Sequence, residues 1–153
     1  MRRDLGLLAL RLGTGTILMA HGYTKLFGGP GKSAPAEVNR LLGPNFQEAV
    51  EQGGIDNFAR ALESMEVPEP RKAAIASGIA EFGGGLFLVL GYRTGLAGTA
   101  AAVNMAVATR KVHWSQGFYG SGGWELSGLL GLCAAALVLT GPGAISLDAL
   151  RKR

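Results

Sequence analysis

The chain has a single cysteine and two histidines, and only 17% of its 153 positions are charged. The lone Cys133 excludes an intrachain disulfide and any CxxC redox or metal pair. Two histidines without clustered thiols argue against a structural zinc centre. Charge this sparse, beside 48% hydrophobic residues, excludes intrinsic disorder. Basic residues outnumber acidic ones by 15 to 11, for a net charge of +4. They form no stripe interleaved with aromatics and fall mostly at the ends of apolar runs, so no nucleic-acid partner is expected.

Small and apolar residues take up what is missing. Glycine occupies 25 positions, and much of the rest is alanine and leucine. In lipid, small residues let helix backbones approach closely, which is how helices pack where hydrophobic burial offers no advantage. Four apolar stretches stand out, at about Leu5–Thr24, Ala73–Tyr92, Thr94–Val112 and Trp124–Thr140. Each is close to the ~20 residues that span a bilayer as a helix. The fold class expected is therefore all-α: an integral membrane four-helix bundle, one domain over residues 1–153, with the lipid bilayer as its surroundings. Arg2 and Arg3 ahead of Leu5–Leu10 resemble the start of a signal peptide. Leu18, third back from a cleavage site after Ala20, is not small, so an uncleaved first helix is preferred.

Residues 28–72 differ in character. Five basic and seven acidic residues give this insertion a net charge of −2. Ile55, Phe58, Ala59, Leu62 and Met65 recur at helical spacing, so Asp56–Glu66 reads as an amphipathic helix with Asp56 as N-cap, ended by Pro68 and Pro70. A second short helix is expected between Pro35 and Gly43-Pro44. The insertion would form a helical cap on one membrane surface. With four spans, both termini share a side. Arg2, Arg3, Arg11, Arg93, Arg151, Lys152 and Arg153 against Asp4 and Asp148 give that side +5. The positive-inside rule then places both termini in the cytoplasm and the insertion outside. Tyr23, Phe27, Trp114, Phe118, Tyr119 and Trp124 would form an interfacial belt at the outer end.

Ionisable side chains within spans are costly and mark functional positions by default. Glu81 lies within the second stretch, on a face with Ala74, Ser77, Gly78, Gly84 and Gly85 that is expected to pack inward. Arg11, Thr14, Leu18, His21 and Lys25 are spaced three, four, three and four residues apart, and so form one polar seam on the first helix. Arg11 is expected to snorkel to the membrane surface. Lys25 is expected to reach Glu81. His113 follows the third stretch and Glu125 opens the fourth. His21, Lys25, Glu81, His113 and Glu125 would then converge at the outer end from all four helices. Such a group suits proton transfer or anchoring of a polar head group, with Glu81, His21 and His113 as candidate catalytic residues and Lys25, Glu81, Glu125 and His113 as ligand contacts. A purely structural hydrogen-bonded plug is the competing reading. Asn104 reads as helix–helix glue, Cys133 as filler. Gly83-Gly84-Gly85 lacks the lysine and hydroxyl residue of a phosphate loop.

His21-Gly22-Tyr23-Thr24-Lys25-Leu26-Phe27-Gly28 resembles the His-Gly-x-x-Lys-Leu-Phe-Gly signature of the DoxX family. Glu81-Phe82-Gly83-Gly84-Gly85-Leu86, with Leu90-Gly91-Tyr92-Arg93, is similar to that family's second-helix pattern. His113, Gly123-Trp124-Glu125-Leu126 and Thr140-Gly141-Pro142-Gly143 with Ser146-Leu147-Asp148 resemble its later elements. The resemblance implies a four-helix inner-membrane protein related to the small subunit of a thiosulfate:quinone oxidoreductase, associated with sulfur or oxidative-stress systems. A quinone is the cofactor it implies, with Lys25 polarising a carbonyl oxygen. The sequence carries no flavin, nicotinamide, haem or iron–sulfur motif and no metal set. Electrons would move through a quinone or a membrane or soluble oxidoreductase partner, with a homo-oligomer left open. Two other functions compete: a non-redox carrier of a small amphiphile, and a membrane scaffold for a soluble enzyme.

Overall fold

The computed structural model describes residues 1–151, and among them there is no strand. Lys152 and Arg153, which enter the charge count above, lie outside the described residues. Helix α1 runs from Arg2 to Phe27, with Asp4 in its first turn and Lys25 in its last, each complementing the helix dipole. The insertion folds as α2 (Ala36–Leu42), α3 (Pro44–Gln52) and α4 (Ile55–Ser64). Helix α5 spans Pro70–Leu90 and α6 Thr94–Val107. A π-helical turn, Ala108–His113, and a short 3-10 turn to Gln116 prolong α6. Helix α7 covers Glu125–Thr140 and α8 Leu147–Leu150. Helices α1 and α5 are long and apolar enough to cross a membrane, and α7 is shorter but apolar. Side chains on the outer faces, among them Ile79, Val103, Leu132 and Leu139, are exposed apolar groups.

Helix α1 packs on α5, α5 on α6, α6 on α7, and α7 returns to α1. The α1–α5 contact is the broadest, and glycines make it so. A Cβ on Gly85 would stand 2.6 Å from the Gly15 carbonyl oxygen, and one on Gly15 would stand 2.6 Å from that of Gly85. Gly22 lies directly against the Phe82 backbone. Gly84, on the same inward face, meets α6 instead, and its nearest neighbour would be the Ala97 oxygen at 3.6 Å, an ordinary contact.

The insertion departs from expectation in three places. Helix α3, beginning at Pro44, was not anticipated; its Phe46 and Val50 form a small core with Ala34 against Ala20 and Tyr23. Gly54, at φ +97°, takes the N-cap of α4. Asp56 sits in the first turn of α4 and pairs with Arg71. Pro70 opens α5 three residues before the expected start, as a proline at the first helical position can.

Arg11 corrects a further expectation. It does not snorkel: it is 1% exposed, and donates to the carbonyls of Pro142 at 2.8 Å and Ile145 at 2.7 Å. After α7 the chain turns back over the end of α1, and its irregular carbonyls need donors that no helix supplies. The forked guanidinium provides two. Gly91, at φ +63°, closes α5, and any Cβ there would collide with this guanidinium.

Asp148 seals the same end. Its carboxylate accepts from the backbone N–H groups of Arg93 at 2.8 Å and Thr94 at 2.9 Å, capping α6 from across the chain. Burial pushes this carboxyl up. The bonds from Thr94 and Arg93 and the charge of Arg151 outweigh it and hold the group below its ordinary value. A carboxylate with a depressed folded value stabilises above its unfolded value, near 3.8, and loses that contribution as pH falls through the folded one. Asp148→Asn should therefore melt below wild type at neutral pH and merge with it in acid. Melting curves taken from about pH 7 down to about pH 2 test this; an offset unchanged over that range would show that the charge plays no part.

Candidate functional site

Glu81 projects from the inward face of α5 beside Ala74, Gly78 and Gly85, and is 1% exposed. The close approach of Gly22 to Phe82 brings the last turn of α1 alongside it. Lys25, three residues on and so on the same side of α1, donates to Glu81 Oε1 at 2.6 Å. Asn104 of α6 donates to the same oxygen at 3.0 Å. Lys25 also reaches Ser77 Oγ at 3.4 Å, and its ammonium lies 4.5 Å from the centre of the Phe58 ring on α4. Four helices thus meet at one buried carboxylate. Its other oxygen, Oε2, is buried with no hydrogen-bond partner among the described residues.

This cluster borders a cavity of about 540 Å³ at the end of the molecule that carries the insertion. Much of the wall is apolar, including Leu18, Leu62, Val67, Met105 and Leu130. His21, Lys25, Glu81, His113 and Glu125 all line it, so the five residues singled out by sequence share one space. Of these five, Lys25 and Glu81 are the two whose side chains are hydrogen-bonded to each other. Among the described residues, no side-chain hydrogen bond joins His21, His113 or Glu125 to that pair. The π-helical turn contributes Lys111, Val112 and His113 to the wall. Such wide turns recur at functional sites. His113 Nδ1 lies 2.8 Å from the Gly122 carbonyl. A carbonyl only accepts, so Nδ1 carries a proton.

The start of α7 is held in place by aromatic packing. Trp114 stacks on Trp124 with centroids 5.6 Å apart, and Phe118 meets Trp124 edge-on at 4.7 Å. Tyr23, Phe27, Phe46 and Phe82 form a second cluster at the α1 side. Sequence reading missed the roles of Phe58, Ser77 and Lys111. Phe58 had a signal, since it lies on the apolar face of an amphipathic helix, but that periodicity does not say which surface the helix covers. Asn104 fits the expected helix–helix role, and its partner is the carboxylate itself. Among the described residues, no three His, Cys, Asp or Glu side chains gather as a metal set.

The chain is helical, has two apolar helices of membrane length, and encloses a carboxylate–ammonium–amide cluster beside a cavity. Residues 6–114 match the DoxX family, a membrane-associated family, and the chain belongs to it. The match takes in α1, the insertion, α5, α6 and the π-helical turn, and ends ahead of α7. Comparisons with curated proteins and with solved structures give no match.

Proposed function

We propose that α1, α5, α6 with its π-helical extension, and α7 each cross a bacterial cytoplasmic membrane, with both termini inside and the insertion outside. We further propose that the outer cavity holds the polar head of a small amphiphile, a quinone in particular, on behalf of a membrane oxidoreductase system. The observation that carries this reading is the Lys25–Glu81–Asn104 cluster set against an apolar-walled cavity. An ion pair at this depth is costly to keep, and a hydrophobic plug would hold the helices together without it. Family membership supports the oxidoreductase setting by analogy.

The residues suit such a head group. Glu81, whose Oε2 has no hydrogen-bond partner among the described residues, lines the cavity, and His21 and His113 are imidazoles on the same cavity. When bound, a quinone supplies two-electron, two-proton chemistry. The chain's part is to exclude water with its apolar wall, to fix the Glu81 carboxyl through Lys25 and Asn104, and to exchange protons with the head group at Glu81 and the histidines. A partner enzyme completes the electron path.

Two measurements test this. Native mass spectrometry of the detergent-purified protein should release a quinone from wild type and none from a folded Glu81→Gln variant. Release of a phospholipid or another apolar metabolite would favour the carrier. Loss of a soluble enzyme from membranes on deletion, with no effect of Glu81→Gln, would favour the scaffold. For topology, Asn45→Cys and Arg151→Cys are made separately in a Cys133→Ser background. An impermeant thiol reagent on intact cells should label the first and spare the second; labelling of the second alone overturns the orientation.

A further inference from the structure

An ammonium has three N–H bonds to give. At Lys25 one meets Glu81 Oε1 at 2.6 Å, another points to Ser77 Oγ at 3.4 Å, and the Phe58 ring lies 4.5 Å away. The Asn104 amide is spent on the same Glu81 oxygen. Donors from two helices thus converge on one oxygen of Glu81. The other oxygen of that carboxylate, Oε2, has no hydrogen-bond partner among the described residues, on a side chain that lines the cavity and is 1% exposed. A carboxylate oxygen removed from water without a donor is expensive, and any ligand that supplies one gains the difference.

We propose that the cavity selects a head group that donates a hydrogen bond: a hydroxyl-bearing ring, as in a phenol or hydroquinone, over a ring that offers only carbonyl or ether oxygens. This rests on the amphiphile reading above and narrows it. The ring packs against apolar wall such as Leu18, Met105 and Leu130, and its hydroxyl donates to Glu81 Oε2. Between the two redox forms of one quinone, the reduced form binds more tightly.

The test uses the full chain in detergent and a matched probe pair, para-nonylphenol and its methyl ether, which share tail and ring. Wild type should bind the phenol at least about tenfold more tightly, the scale of a hydrogen bond to a charged acceptor. Glu81→Gln should bring the two affinities within about twofold of each other. Should that variant fail to fold, the Lys25→Met/Glu81→Gln double variant, which strands no charge, should show the same collapse. Equal binding of the pair by wild type overturns the proposal, as does a preference that survives in the folded double variant. A second arm compares a decyl-tailed benzoquinol with its quinone, where tighter binding of the quinone also overturns it. A phenol preference with no binding of either quinone form upholds the inference while the quinone reading falls. A co-purified quinone with no hydroxyl preference does the reverse.

Discussion

Lys25→Met and Glu81→Gln should each destabilise the protein more than the two changes made together. Either single change leaves one member of a 2.6 Å ion pair without its partner, in a setting where Glu81 is almost sealed from solvent and Lys25 is 22% exposed. Breaking one side of a buried pair costs about 3 kcal/mol or more, because the remaining charge is uncompensated. The double change removes both charges and leaves Asn104 facing a neutral amide. A double-mutant cycle on thermal melting in detergent should show a coupling of at least ~1 kcal/mol. Additive effects would mean that the two side chains act independently and that the site is not built around their contact.

The second large effect is steric and lies one turn further along α5. Gly85→Ala places a Cβ 2.6 Å from the Gly15 carbonyl oxygen and 2.9 Å from the Met19 nitrogen. Both are backbone atoms of α1, so relief requires the two helices to separate. Overpacking of this kind costs about 1–3 kcal/mol, and separation would also draw Lys25 away from Glu81. Gly84→Ala meets only the Ala97 oxygen at 3.6 Å. There, the higher helix propensity of alanine offsets what little crowding arises, so stability should change by less than about 1 kcal/mol. Melting temperatures of the two variants decide the matter; equal losses would show that the α1–α5 crossing is not set by Gly15 and Gly85.

The Lys25–Glu81 contact was legible in the sequence because two periodicities pointed at each other. The three-four spacing from Arg11 to Lys25 aligns one seam on α1, and the small residues around Glu81 mark the face of α5 that must be buried. A carboxylate in an apolar run needs a cation, and few were in reach. Arg11 lies on the same seam and was misread. Its partners are carbonyls of Pro142 and Ile145, more than 130 positions away in an irregular segment, and carbonyls have no residue-type signature. The π-helical turn before His113 was equally hidden, since an extra residue in one turn leaves no mark on composition.

Composition and periodicity were enough to establish a helical, charge-poor chain with membrane-length apolar segments, a polar insertion and a short set of ionisable residues inside the helices. Those are local properties, read from spacing and from the cost of placing charge in lipid. Tertiary contact settled the rest. Gly84 and Gly85 are adjacent and identical in type, yet a rotation of about 100° along the helix turns one towards α6 and the other into α1. Asp56 has the chemistry of a cap, but Gly54 takes the position because the chain there adopts a positive φ where it returns to Thr24, whose carbonyl accepts from the Gly54 N–H at 2.9 Å. Which oxygen of Glu81 is satisfied, and which is left for a ligand, depends on where Lys25 and Asn104 arrive from two other helices. Such outcomes are set by distances between segments remote in sequence, and residue type alone does not encode them.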